Sequence, residues 1–282
     1  MSPSSDAQEY RDYGLESLRN ASQSSLRTKL KIFTDVETPY AEFDTEDSPD
    51  SLFDEISPAA TSSLPAMLHA PPIPGLFFTP SLLLPVQLAD DVTHFCLDNY
   101  FNRPGVNQIM LFGVASSSNA GAPLSGLPPV LTTLLSTVSS LLEPTLPPEI
   151  HALLFPPNPT RARQAILNLY HPGEGIIPHV DLLRRFGDGI VGVSFGSSCV
   201  MEFARVDKAA DDAAAPLQLF LPERSIIVLS GDARYAWTHG IEKRTADLVA
   251  DAGVHRVVQR GVRLSITFRW LLPGADVVGQ DD

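Results

Sequence analysis

The chain has 282 residues, 44% of them hydrophobic and 19% charged, enough apolar material to bury the core of one large domain or two modest ones. Twenty Lys and Arg against 33 Asp and Glu leave a net charge of -13, which argues against a nonspecific nucleic-acid binder working through its overall field. No apolar run reaches the roughly 18 residues of a membrane span, Met1 to Glu9 lack the apolar core of a signal peptide, and two cysteines, Cys96 and Cys199, are too few for a disulfide framework or a thiolate zinc site, so a soluble protein of the cytoplasm and/or nucleus is expected, with no membrane partner.

Residues 1–70 read as an acidic, Ser-rich tail that is mostly disordered. Residues 1–58 hold 13 acidic and 5 basic side chains, and stretches such as Ser22-Gln-Ser-Ser25 and Glu42 to Asp50 carry no apolar period. A short helix over Asp6 to Arg19 fits the pattern. Leu26 to Phe33, with Arg27, Lys29 and Lys31, reads either as a docking or signal segment or as solvated tail, and the second reading is favoured because three interspersed basic residues make a weak signal. A protein partner, if one docks, is expected on this tail.

The texture changes at Pro71-Pro-Ile-Pro-Gly-Leu-Phe-Phe78, a rigid entry into a short apolar strand. The folded domain is expected over residues 71–274, with residues 275–282 a C-terminal tail. Apolar residues at helical spacing predict helices over Val86 to Tyr100 and Leu127 to Glu143. After Asn158 the pattern shifts to short β-rich runs: Ala165 to Tyr170, Ile190 to Phe195, Cys199 to Arg205, Leu217 to Leu221, Ser225 to Ser230, Tyr235 to His239 and Val262 to Leu271. Asp207 to Pro216 reads as a surface loop. Helices followed by many short strands predict an α+β protein with a sandwich or barrel rather than alternating βαβ units.

Three segments carry chemistry. In His179-Val-Asp181, residues i and i+2 of an extended backbone share a face, so an imidazole and a carboxylate can share one metal. Alone the pair is weak and needs a third ligand, for which His239 in Ala233-Arg-Tyr-Ala-Trp-Thr-His-Gly-Ile241 is the candidate. Two His and one carboxylate on one side of a metal leave its other side open, the arrangement of non-haem iron(II) oxygenases. Read alone, His239 is as well explained by a half-buried strand histidine sharing a face with Tyr235 and Trp237. The third segment, Arg263-Leu-Ser-Ile-Thr-Phe-Arg269, puts Val262, Leu264, Ile266 and Phe268 on one face and Arg263, Ser265, Thr267 and Arg269 on the other. A face with two arginines is either the solvated side of an edge strand or turns inward onto an anion, which a dicarboxylate would supply. Asn168 and Tyr170 likewise share a strand face.

The order Asn168-x-Tyr170, Pro-Gly-Glu-Gly-Ile-Ile-Pro, His179-x-Asp181, Gly196-Ser-Ser-Cys-Val-Met-Glu-Phe203, Arg234-Tyr-Ala-Trp-Thr-His-Gly-Ile241 and Arg263-x5-Arg269 resembles the AlkB-like family of iron(II)- and 2-oxoglutarate-dependent dioxygenases. The resemblance runs from about Ile166 to Trp270, extends plausibly back to Pro74 and leaves out the tail. The stretches around His239 and Arg263 look most like the subgroup acting on transfer-RNA wobble uridines, from which this chain is expected to depart by lacking the flanking RNA-recognition and methyltransferase domains. The resemblance implies a double-stranded β-helix (jelly-roll) with flanking helices. It further implies Fe(II) held by His179, Asp181 and His239, and 2-oxoglutarate and dioxygen as co-substrates. Arg263 is then expected on the distal carboxylate with Asn168 and Tyr170, and Arg269 beside the keto-acid carboxylate or Asp181. The implied reaction hydroxylates a substrate C–H bond, so that an N-methyl group leaves as formaldehyde.

A modified nucleobase, in RNA (transfer RNA) rather than DNA, is the expected substrate. Phe77, Phe78 and Phe112 are candidate pocket walls, better explained as core, and Arg161, Arg163, Arg184, Arg185, Arg256 and Arg260 are candidate phosphate contacts or plain surface. Two alternatives stand beside this reading: the same chemistry on a protein side chain, suited by the acidic balance, and a catalytically silent interaction module.

Overall fold

The computed structural model describes residues 64–113, 126–207, 215–251 and 253–275; the helix expected over Asp6 to Arg19 and the basic segment Leu26 to Phe33 lie outside them. Pro74-Gly75 turns the chain into strand β1 (Leu76–Leu83). Helix α1 (Val86–Asn99) buries Ala89, Val92 and Cys96 on one stripe, and after β2 (Gln108–Gly113) helix α2 (Pro129–Leu142) buries Leu131, Leu134, Leu135, Val138 and Leu142. These are the three- and four-residue steps of an amphipathic helix with one apolar face. Both begin just after a proline, which stops the preceding backbone from being helical. A third helix, α3 (Pro148–Leu154), is too short to show a period.

The rest is strand: β3 (Arg163–Tyr170), β4 (Ile176–His179), β5 (Phe186–Phe195), β6 (Cys199–Arg205), β7 (Leu217–Leu221) and β8 (Ser225–Leu229). The short helix α4 (Asp232–Tyr235) comes next, followed by β9 (Trp237–Ile241), β10 (Ala246–Asp251), β11 (Val254–Gln259) and β12 (Arg263–Leu271). A six-stranded sheet runs in the order β1-β8-β5-β12-β3-β2 and a four-stranded one in the order β4-β9-β6-β7, every pair within them antiparallel. Between them Leu76, Ile190, Ile227 and Leu229 of the larger sheet meet Cys199, Phe203, Leu219, Leu221 and Ile241 of the smaller. Each side chain of this size taken out of water contributes about 1.5–3 kcal/mol. Two facing antiparallel sheets with helices on the outside form the expected jelly-roll. Both cysteines are free and buried, and no described helix is long and apolar enough to cross a membrane.

Three departures from the sequence reading matter for the site. Val262 to Leu271 is no edge strand: β12 is hydrogen-bonded on both edges, between β5 and β3, both of its faces are largely buried, and Val262 itself is left outside it, 45% exposed. Tyr235 is not in a strand with His239 but ends α4, 42% exposed; only Trp237 and His239 alternate on β9. The hairpin β10–β11 was not foreseen. It covers the outer face of the smaller sheet, where Val200 and Phe220 pack on Ala66, Val249 and Val258. Residues 64–70, which composition places in the tail, run there too, Ala66 bridging to Val249 and Met67 to Leu219.

Candidate metal and co-substrate site

The site starts from a contact that only glycine permits. His179, the last residue of β4, lies opposite His239 of β9. Between them the two strands approach so closely that a Cβ on Gly240 would lie 2.8 Å from the backbone nitrogen of Pro178, a distance real Cβ atoms do not reach. The imidazoles come to rest with ring centroids 4.5 Å apart. Asp181, beyond the end of β4, turns back so that its Oδ1 stands 3.6 Å from His179 Nε2. One ligand atom from each of His179, Asp181 and His239 falls within 4.8 Å of the others.

The protonation states suit a divalent metal. His179 Nδ1 lies 2.9 Å from the carbonyl oxygen of Ile177, and since a carbonyl only accepts, that nitrogen carries the hydrogen and leaves the Nε2 lone pair toward the site. Burial, with the neighbouring His179, lowers His239 to about 4 against the pull of Asp181, so it is neutral near pH 7. Burial of Asp181 would raise its carboxyl, but the Arg269 guanidinium beside it outweighs this and holds it well below the usual carboxylate range. Two neutral imidazoles and one carboxylate on one side of an ion form the donor set of an open iron(II) site.

Arg269 supports the carboxylate directly. Its Nη1 donates to Asp181 Oδ1 at 2.5 Å and its Nε to Gln164 Oε1 at 2.7 Å, while its guanidinium lies 3.8 Å from the centre of the Phe186 ring. Gln164 sits across the ladder from Arg269, and neither it nor Phe186 gave a signal in the sequence, because an uncharged strand residue reveals its partner only once the register is known.

At the other end of β12, Arg263 is 5% exposed and donates through Nη2 to Ser194 Oγ at 2.8 Å, while its Nε and Nη1 are buried without a partner. Among the described residues it forms no ion pair. A buried cation with two idle donors is costly, and a bound carboxylate would relieve it in bidentate fashion. Tyr170 pairs with Arg263 across the ladder, its ring centre 5.5 Å from the guanidinium; burial pushes its hydroxyl up to about 12 against Arg263 and a hydrogen bond with Asn168. Asn168 in turn accepts from Gln108 Nε2 at 2.9 Å, which fixes its amide with the NH2 group turned from Gln108. Gln108 was missed because β2 was not read as a strand.

The other sequence candidates separate. Arg163 is buried, stacked 3.8 Å over the Trp270 ring and bonded to the Leu154 carbonyl, and Arg260 is buried in a two-point ion pair with Asp247 at 2.7 Å. Neither can reach a phosphate. Phe112 packs on Ala162, Phe186 and Leu271 and Phe78 on the inter-sheet core; Phe77 lies with Leu142 and Leu146 around a cavity of about 170 Å³.

The comparisons with known proteins agree with this geometry. The family described as the 2OG-Fe(II) oxygenase superfamily matches residues 114–269. The tRNA (carboxymethyluridine(34)-5-O)-methyltransferase ALKBH8 of Macaca fascicularis is 41% identical over 118 residues, covering 38% of this chain and 17% of that protein. The alkylated DNA repair protein ALKBH8 homolog of Arabidopsis thaliana is 36% identical over 118 residues, 38% of this chain and 33% of its own, and the probable RNA/DNA demethylase ALKBH6 of Danio rerio 28% over 124, 38% and 53%. The chain thus spans about half or less of the length of these relatives. With a family match over more than half its residues and a His-Asp-His cluster inside a jelly-roll, the chain belongs to the 2OG-Fe(II) oxygenase superfamily.

Proposed function

We propose that this dioxygenase acts on a modified base in RNA, transfer RNA in particular, with Arg263, Tyr170 and Asn168 binding the distal carboxylate of 2-oxoglutarate and Arg269 holding Asp181 in place. Fe(II) with 2-oxoglutarate and dioxygen supplies the oxidising power, releasing succinate and carbon dioxide. The chain's own part is to keep His239 unprotonated, to fix the His179 ring through its Nδ1, to keep Asp181 ionised, and to offer two buried N–H groups to the co-substrate.

The observation that carries the nucleic-acid reading is a basic rim beside the metal ligands. The loop after Asp181 exposes Leu182 (44%), Leu183 (56%) and Arg184. It continues into Arg185, and a Cβ on nearby Gly187 would lie 3.0 Å from Arg161 Nη1. Tyr235 stands at the same place, its ring 4.9 Å from the Arg234 guanidinium that bonds the carbonyls of Leu182 and Phe186. Three arginines and an exposed aromatic ring suit a strand whose phosphates are paired and whose bases stack. RNA is favoured over DNA by the relatives named for transfer RNA.

The test is binding of total transfer RNA as a function of salt. Replacing Arg184 and Arg185 by Gln should weaken binding and flatten the dependence of log Kd on log salt by roughly 0.7 for each phosphate no longer neutralised. An unchanged slope contradicts the rim as the nucleic-acid surface. Succinate release stimulated by a basic peptide, and not by RNA, would replace the base with a protein side chain.

A further inference from the structure

Arg234 does something the metal site needs and no other residue of the site supplies. It is 2% exposed, the bulkiest of the fully buried side chains, and all the hydrogen bonds its guanidinium makes among the described residues go to main-chain carbonyls. Nη1 donates to Asp181 O at 2.9 Å, Nη2 to Leu182 O at 3.4 Å and Phe186 O at 3.2 Å, and Nε to Gly187 O at 3.4 Å. These four acceptors flank the turn between β4 and β5, Asp181 and Leu182 before it and Phe186 and Gly187 at the start of β5, and the first belongs to the metal-ligating residue itself.

The turn is closed by the Arg185 and Phe186 amides on Leu182 O, and its far end is held by Leu272 N donating to Arg185 O and by Phe186 pairing with Leu271. The pairing of β4 with β9 ends at His179, so the main chain of Asp181 is outside the ladder. Its carboxylate is held from β12 by Arg269 and its carbonyl from α4 by Arg234. The helix α4 is itself anchored: Gly231 N donates to Asp188 Oδ1 at 3.0 Å, Ser230 Oγ to Asp188 Oδ2 at 3.0 Å, and Ala233 N to Pro74 O at 2.9 Å. From α4 the chain passes through Ala236 into β9, where His239 follows five residues after Arg234. One side chain therefore ties the segment carrying the carboxylate ligand to the segment carrying the second histidine.

We infer that Arg234 is a positioning residue for the metal centre, setting the distance between Asp181 and His239 by gripping the backbone of the 181–187 loop. Burying a guanidinium opposite carbonyls alone is expensive compared with an apolar side chain of similar size, and a fork of five donors is what four carbonyls spread over one loop require; a lysine ammonium, three donors at one point, cannot reach both ends. The inference concerns the metal site and holds whatever the substrate is.

The experiment uses the full chain, freed of metal, titrated with Mn(II) alone and with Co(II), whose visible absorption reports coordination geometry. Arg234→Lys and Arg234→Met are compared with the parent and with Val138→Ala, a cavity variant in α2 away from the site. The expected result is a Mn(II) Kd raised about tenfold or more by Arg234→Met and by an intermediate factor by Arg234→Lys, with an altered Co(II) spectrum. Exchange of the Arg185 and Phe186 amides, which both bond to Leu182 O, should be faster. Val138→Ala should lower the melting temperature with Kd within about twofold of the parent. If Arg234→Met does not fold, Arg234→Lys decides. A Kd within about twofold of the parent in the folded variants, or an equal rise in Val138→Ala, overturns the inference; a parent that binds neither metal contradicts the site itself and the inference with it.

Discussion

Asp181 and Arg269 form a buried ion pair at 2.5 Å, and beside it the His239 imidazole is held neutral in the same small volume. Such a cluster stabilises the fold only while its protons stay where they are. In the metal-free protein His239 titrates near 4, against 6.5 for an unperturbed imidazole, so between these values the unfolded chain binds more protons than the folded one and stability rises with pH, by up to about 3 kcal/mol. Asp181 acts in the same direction at lower pH: its depressed value adds stability above the unfolded carboxyl's 3.8, lost as pH falls further. Urea midpoints of the metal-free protein should therefore drop between pH 7 and pH 4.5, and drop less in His239→Gln. Arg263 gives a second check at this scale. Arg263→Met should raise the KM for 2-oxoglutarate by about 30-fold, since losing one partner of a buried charge pair costs about 2 kcal/mol or more, while Mn(II) affinity stays within about twofold. Equal losses in both would mean that Arg263 shapes the whole barrel rather than one ligand.

Among the elements, the β10–β11 hairpin is held by charge as much as by packing. Asp247, 1% exposed, accepts from Arg244 Nε at 2.7 Å and from Arg260 Nε and Nη2, also at 2.7 Å. Asp247→Asn should cost about 3 kcal/mol or more in urea unfolding, because it leaves the buried Arg260 guanidinium without its ion-pair partner, Arg244 keeping Glu242, and should leave metal affinity nearly unchanged. The same residue explains why the hairpin was illegible in the sequence: Ala246 to Asp251 breaks the alternation of a half-buried strand with a buried aspartate whose partners lie 3 and 13 residues away. β2 was missed because Ile109 to Phe112 is a short apolar run that fits strand or helix equally, and α3 because seven residues show no period. The long helices were legible because burial on one face sets their period, and strands such as β3 and β8, buried throughout, were legible as short apolar runs. Motif order pointed to the seven expected site residues, of which the structure groups His179, Asp181 and His239 within 4.8 Å; Gln108, Gln164, Ser194 and Arg234 gave no signal, because what they touch depends on register and on loop closure.

For the whole molecule, the net charge of -13 and a nucleic-acid substrate are compatible only if charge is segregated. Residues 1–58 carry more than half of the excess acid, while Arg184 and Arg185 follow the metal ligand Asp181 by three and four residues. The decisive assay is succinate formation from 2-oxoglutarate with Fe(II) and ascorbate, in the presence of total transfer RNA, alkylated single-stranded DNA or a histone-like peptide, with His179→Ala alongside. An RNA dioxygenase built on this triad should show turnover stimulated by transfer RNA above the other two pools and abolished in His179→Ala. Turnover indifferent to transfer RNA and raised by the peptide would contradict the substrate, and succinate formation that survives His179→Ala would contradict the metal site.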